Sequence, residues 1–152
     1  MLKRDITYED FDGNVVTDTY YFNFSKSEMI EFEAEYKGGF EAFLQSVIKA
    51  EDNQSLIAIF KKLVLLTYGV KSEDGKRFIK SDELRTEFSQ TAAYDKLFIE
   101  LATNDSLAAD FVMGVMPRDM RDEVKAEIVP SLNPPVPPPN PPSFNDQPPL
   151  AT

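Results

Sequence analysis

The chain has 152 residues, 16 of them basic and 26 acidic, with no histidine, cysteine or tryptophan and a formal net charge of −10. That length allows one domain, and that charge opposes binding to DNA, RNA or an acidic membrane, so neither nucleic acid nor membrane is an expected partner. Lacking cysteine, the chain has no disulfide framework, iron–sulfur cluster or thiol nucleophile; lacking histidine, it has neither the commonest general base nor the commonest zinc ligand.

The opening Met1-Leu2-Lys3-Arg4-Asp5 carries charge with no apolar stretch behind it and does not read as a signal peptide. The next residues alternate. Leu2, Ile6 and Tyr8, then Val16, Tyr20, Phe22 and Phe24, recur on even positions, which predicts a β-hairpin over residues 1–24. A two-residue loop at Asp12-Gly13 would set the apolar face of one strand against the polar face of the other. A three-residue loop from Asp12 to Asn14 instead pairs Ile6 with Tyr20 and Leu2 with Phe24, and is preferred. Asp10-Phe11-Asp12-Gly13-Asn14 resembles the start of a calcium loop, but glycine is fourth rather than sixth and Tyr21 stands where the bidentate glutamate belongs. It reads as a plain turn.

Ser25-Lys26-Ser27-Glu28 fits a capping box, followed at helical spacing by Met29, Phe32 and Tyr36, with Gly38-Gly39 ending the segment. Glu31, Glu33 and Glu35 on this helix read as a solvated face, since acid–base catalysis needs one desolvated carboxyl of a pair. A second helix carries Phe40, Phe43, Leu44, Val47 and Ile48. A third, from about Asn53 to Tyr68, is apolar on most sides and predicted to be central; its Leu63–Leu66 run is too short to span a bilayer. Gly69 to Lys80 reads as a loop with Asp74-Gly75 at its tip. Ser81 can cap a short helix bearing Leu84 and Phe88. The next runs from about Thr91 to Ala102. Thr103 or Asn104 caps the one after, and a last helix runs from Pro117 through Val129. Serine chemistry has no frame here: there is no Gly-x-Ser-x-Gly elbow, and no phosphate-cradling glycine loop with its lysine.

Ten of the 11 prolines fall between Pro130 and Pro149. Proline fixes φ and lacks an amide donor, so residues 130–152 are expected to be a disordered or polyproline II arm. Its PxxP spacing, such as Pro134 to Pro137, suits SH3-like grooves, but the arm has no basic flanks and reads as a spacer. The folded body, 1–129, holds all 16 basic residues and 25 of the 26 acidic ones. The expected fold is mainly α, with an N-terminal hairpin packed on a compact bundle of short helices (25–129) and the extended arm behind it. Within the body, Met113, Met116 and Met120 cluster around Pro117. Core filling at the bend is the first explanation. A flexible apolar client surface is the second.

The stretch from Tyr68-Gly-Val-Lys-Ser-Glu-Asp-Gly through Phe88-Ser-Gln-Thr-Ala-Ala-Tyr94 to Glu100-Leu101-Ala-Thr103 resembles the tail assembly chaperones of long-tailed (siphovirus-type) bacteriophages. Gly75-Lys-Arg-Phe-Ile-Lys-Ser81 and the Phe88-to-Leu101 helix carry most of the likeness, and Phe22-Asn-Phe-Ser-Lys-Ser-Glu28 fits the family's opening. The resemblance covers roughly residues 1–117 and leaves the proline-rich arm outside. It implies a non-enzymatic, cofactor-free protein of the host cell cytoplasm that binds the tape measure protein, keeps it soluble while the tail tube assembles, and leaves before the tail matures. It also implies, in many such phages, a longer form made by programmed frameshift whose extra domain contacts the tail tube protein; a flexible arm would suit such a tether. The weak candidates for partner binding are Met113, Met116 and Met120, with Phe78 and Ile79, and the hairpin edge is the candidate for self-association. The alternative is a small helical adaptor or minor virion structural protein that docks through its proline-rich arm.

Overall fold

The structure, a computed structural model, describes residues 1–49 and 53–132. The first two elements are the expected hairpin, β1 (Leu2–Glu9) and β2 (Val15–Phe22). Its even positions turn inward: Ile6 and Phe22 are buried, while Leu2, Tyr8 and Tyr20 pack partly buried against the core. The register differs from the expected one. Ile6 lies opposite Asp18 and Leu2 opposite Phe22, so the strands keep the predicted parity but slide by two residues. The reason is the turn. Asp10 N–H donates to the Asn14 carbonyl and Gly13 N–H to the Asp10 carbonyl, leaving Phe11-Asp12-Gly13 as the loop. A three-residue loop wants a left-handed residue in third place, and Gly13, at φ +83°, supplies it. Placing the loop at Asp12–Asn14 would have put the glycine second.

Two further strands were not expected. Residues 69–80 are not a plain loop: β3 (Tyr68–Lys71) and β4 (Phe78–Ile79) form a second hairpin that adds to β2, giving a four-stranded antiparallel sheet in the order β1-β2-β3-β4. Strands of four and two residues are too short to show a period. The tip is built by side chains. Ser72 Oγ donates to Asp74 Oδ1 at 2.6 Å and accepts from Arg77 N at 3.0 Å, while Lys76 N donates to Asp74 Oδ1 at 3.1 Å. Gly69 admits the close approach of β4: a Cβ there would stand 2.6 Å from the Phe78 ring and 2.8 Å from the Ile79 carbonyl oxygen.

Among the described residues there are seven helices, four of them begun by a capping side chain. In α1 (Lys26–Glu35) both halves of the capping box form, Ser25 N to Glu28 Oε2 at 2.9 Å and Glu28 N to Ser25 Oγ at 3.3 Å. Helix α2 (Gly39–Lys49) buries Phe40, Phe43, Leu44 and Val47, and α3 (Asn53–Thr67) buries Phe60, Leu63 and Val64. Helix α3 ends at Thr67, because Tyr68 already belongs to the sheet. Ser81, Thr91 and Asn104 cap α4 (Asp82–Ser89), α5 (Ala92–Thr103) and α6 (Asp105–Val115). Helix α7 (Arg118–Leu132) runs past the expected end at Val129 and takes in Pro130. The expected boundary rested on proline's missing amide donor and on the crowding of its ring against the carbonyl four residues earlier; the helix continues for three residues past Val129 in spite of both. The arm beyond residue 132 lies outside the described residues.

One aromatic network joins sheet to helices. Phe22 meets Phe111 of α6 edge-on at 5.2 Å and Phe88 of α4 at 5.9 Å, and Tyr68 stacks on Phe88 at 4.1 Å. On the other side Phe24, fully buried, packs against Phe32 and Phe40. Each such ring is worth roughly 1.5–3 kcal/mol of burial. The hairpin is therefore part of the core rather than a cover for it.

Candidate functional site

The chain leaves α6 through Met116, whose extended backbone (φ −65°, ψ 149°) turns it into α7. Arg121 secures that corner: its Nη2 donates to the carbonyls of Gly114 at 3.0 Å and Met116 at 3.2 Å, groups that a helix end leaves without intrahelical partners. Met116 itself has no exposed surface and belongs to the core, as the core-filling explanation expects for this one residue. Met113 and Met120 are only partly buried against that core. Of the cluster, then, two thioethers remain within reach of a partner. Next to Met120, Asp119 pairs with Lys26 at the start of α1, which holds the lysine above and the carboxyl below its usual range.

The second candidate pair, Phe78 and Ile79, lies on β4. Phe78 is half-buried, whereas Ile79 is 40% exposed and faces Val70 of β3, 41% exposed, across the ladder. Val70 was missed in the sequence because its strand was. Lys80 follows, and anchors this edge. Its Nζ donates to the Asn23 carbonyl at 2.7 Å and to both oxygens of the Glu28 carboxylate at 2.6 and 2.7 Å. Burial lowers the Lys80 ammonium pKa, with the Glu28 hydrogen bond working against that shift. The first turn of α1 is thus held from two directions, by Lys80 beside Phe78–Ile79 and by Asp119 beside Met120.

Other apolar side chains stand in the open that periodicity did not single out: Phe11 (84%) and Val15 at the first hairpin's tip, Ile30 on α1 and Ile99 on α5. A shallow cleft of about 210 Å³ opens between Thr19–Tyr21 and Tyr68–Lys71, where Lys71 Nζ sits 5.4 Å from the Tyr21 ring centre. Among the described residues no three histidines, cysteines, aspartates or glutamates are grouped to hold a metal ion. Chemically, these surfaces offer apolar contact on an acidic body. They fit partner binding better than bond making.

A family model described as phage tail assembly chaperone matches residues 1–149. The chain belongs to that family. The match continues well past residue 117 into the proline-rich segment, so that segment lies within the matched range rather than beside it. No curated protein and no solved structure matches the chain. Membership in a family of tail assembly chaperones implies a non-enzymatic role and points to tail proteins as partners. No helix among the described residues is long and apolar enough to cross a membrane.

Proposed function

We propose that this family member binds the tape measure protein of a long-tailed phage in the host cytoplasm, keeps it soluble while tail tube protein polymerises around it, and is absent from the mature virion. The family match over residues 1–149 is the observation that supports this reading most strongly. The physical character of the chain agrees with it. A net charge of −10 keeps a complex with an aggregation-prone helical client dispersed. The client surface in this reading is the α6–α7 corner, where Met113 and Met120 offer adaptable thioethers above the buried Met116, with Phe78 and Ile79 as a second contact. A longer frameshifted form, tethered through the proline-rich segment, would bring in the tail tube protein.

The reading is tested in cells producing tails. A tagged copy should co-purify the tape measure protein, and mass spectrometry of purified virions should not find the chaperone. Joint replacement Met113→Ser and Met120→Ser should weaken client binding about tenfold with helix content unchanged, because buried contact residues of this kind contribute on the order of 1–2 kcal/mol together. Finding the protein in the finished particle would instead favour a structural role.

A further inference from the structure

We propose that β1 is a self-complementary edge, and that two copies of this chain join by pairing their β1 strands antiparallel with Lys3 opposite Glu9 and Asp5 opposite Thr7. This goes beyond the client-binding role and rests on the ladder geometry. The Asp10–Asn14 hydrogen bond fixes which residues of β1 bond inward to β2. Bonded pairs alternate in an antiparallel ladder, so the even residues of β1 face β2 and the amides and carbonyls of Lys3, Asp5, Thr7 and Glu9 point away from it. Among the described residues none of these four makes a backbone hydrogen bond to another element. Their side chains are exposed as well. The strand is eight residues long, with no proline and no bulge in its register, whereas the opposite edge, β4, has only two residues. Helix α5 lies against this strand, with Arg4 Nη2 donating to Glu100 Oε2, but the odd residues stay exposed, and an unpaired edge of this length is what a second strand can extend.

Charge chooses the occupant. Because only the odd residues present free backbone groups, a β1–β1 ladder must set odd against odd. One register engages all four outward residues, Lys3 with Glu9 and Asp5 with Thr7 in both directions, and brings Ile6 against Ile6 on the other face. Sliding by two in one sense puts Asp5 against Asp5, and in the other Asp5 against Glu9. Like charges directly opposite are unfavourable and opposite charges favourable, so the fullest ladder is favoured over both neighbouring registers; a slide of four would pair Lys3 with Asp5 but leaves Glu9 outside the ladder. Charged edges commonly guard against pairing; here the order lysine, aspartate, threonine, glutamate is complementary to its own reverse. Two four-stranded sheets would join into one.

Sedimentation of the full chain over a range of concentrations tests this, with circular dichroism confirming the fold of each variant. The expected result is reversible association to twice the 17.2 kDa chain mass. Lys3→Glu and Glu9→Lys, each alone, should weaken association about tenfold, since each sets like charges opposite at two symmetric places. The two together restore opposite charges and should recover wild-type affinity. Thr7→Pro, which removes an outward amide without touching the ladder to β2, should abolish the dimer. A chain that stays monomeric, or instead captures an extended segment of another protein on this edge, overturns the proposal. So does a dimer indifferent to both single charge reversals, or a double variant that fails to recover. None of these outcomes bears on tape measure binding, which the co-purification experiment reads separately.

Discussion

Lys80 leaves the end of β4 and inserts its ammonium between the Asn23 carbonyl and the Glu28 carboxylate, with side chains only 12% and 19% exposed. Such a pair is held by its surroundings more than by Coulomb attraction, and removing one member strands the other. Lys80→Ala should lower unfolding free energy by about 2–3 kcal/mol in urea, while Lys62→Ala, which removes an exposed pair with Glu35, should lower it by less than about 1 kcal/mol. Equal losses would contradict the distinction. Tyr94 makes the opposite case: its hydroxyl is buried with no hydrogen-bond partner among the described residues. Tyr94→Phe should leave stability unchanged or raise it by up to about 1 kcal/mol, and a clear loss would show that the hydroxyl is satisfied in solution. Acid sensitivity also belongs at this scale. The Asp10 carboxylate accepts the Asn14 and Asp12 amides at 2.9 Å each, and chiefly the first holds its pKa below the usual carboxylate range. A depressed folded pKa adds stability above the unfolded value and forfeits it as pH falls through the folded one. Carboxyl NMR should therefore show Asp10 titrating below an ordinary aspartate, and the turn loosening only under more acid conditions.

At the scale of elements, caps and helical stripes were legible in the sequence because each is a local signal. Ser25 with Glu28, Ser81, Thr91 and Asn104 each sit where a polar side chain before an apolar repeat predicts, and each accepts the expected amide. The first hairpin's faces were legible too, since parity survives any even slide. Its register was not, because it depends on which loop position must be left-handed, and only the third suits Gly13. The second hairpin was invisible for a different reason. Its order comes from Ser72, Asp74 and Lys80 side chains and from a tight crossing at Gly69, none of which has a period. Gly69→Ala would drive a methyl group into the Phe78 ring and the Ile79 carbonyl. The expected loss is about 1–3 kcal/mol, with the β4 amides exchanging faster than those of β1. Uniform exchange rates across the sheet would contradict that local origin. As for the candidate site, the methionine cluster was visible as composition, but which thioether is core and which is reachable is decided by the α6–α7 corner. The Arg121 bonds that hold that corner span five and seven residues and leave no sequence motif.

The whole molecule is an acidic helical body whose sheet shares its core. Phe22 contacts rings from α4 and α6 at once, so the first hairpin cannot be peeled away without opening the helices. In the proposed reading, client contact uses surfaces already outside that core, Met113, Met120 and Ile79, rather than a large rearrangement. In the proposed function this surface keeps a tape measure protein in solution. The most direct test is to express the tape measure protein of the same phage with and without this chain and to measure the soluble fraction. The tape measure protein should be largely insoluble alone and soluble, and bound, in company. A client equally insoluble with this chain present, and still so when the downstream reading frame is supplied for the longer form, would contradict it.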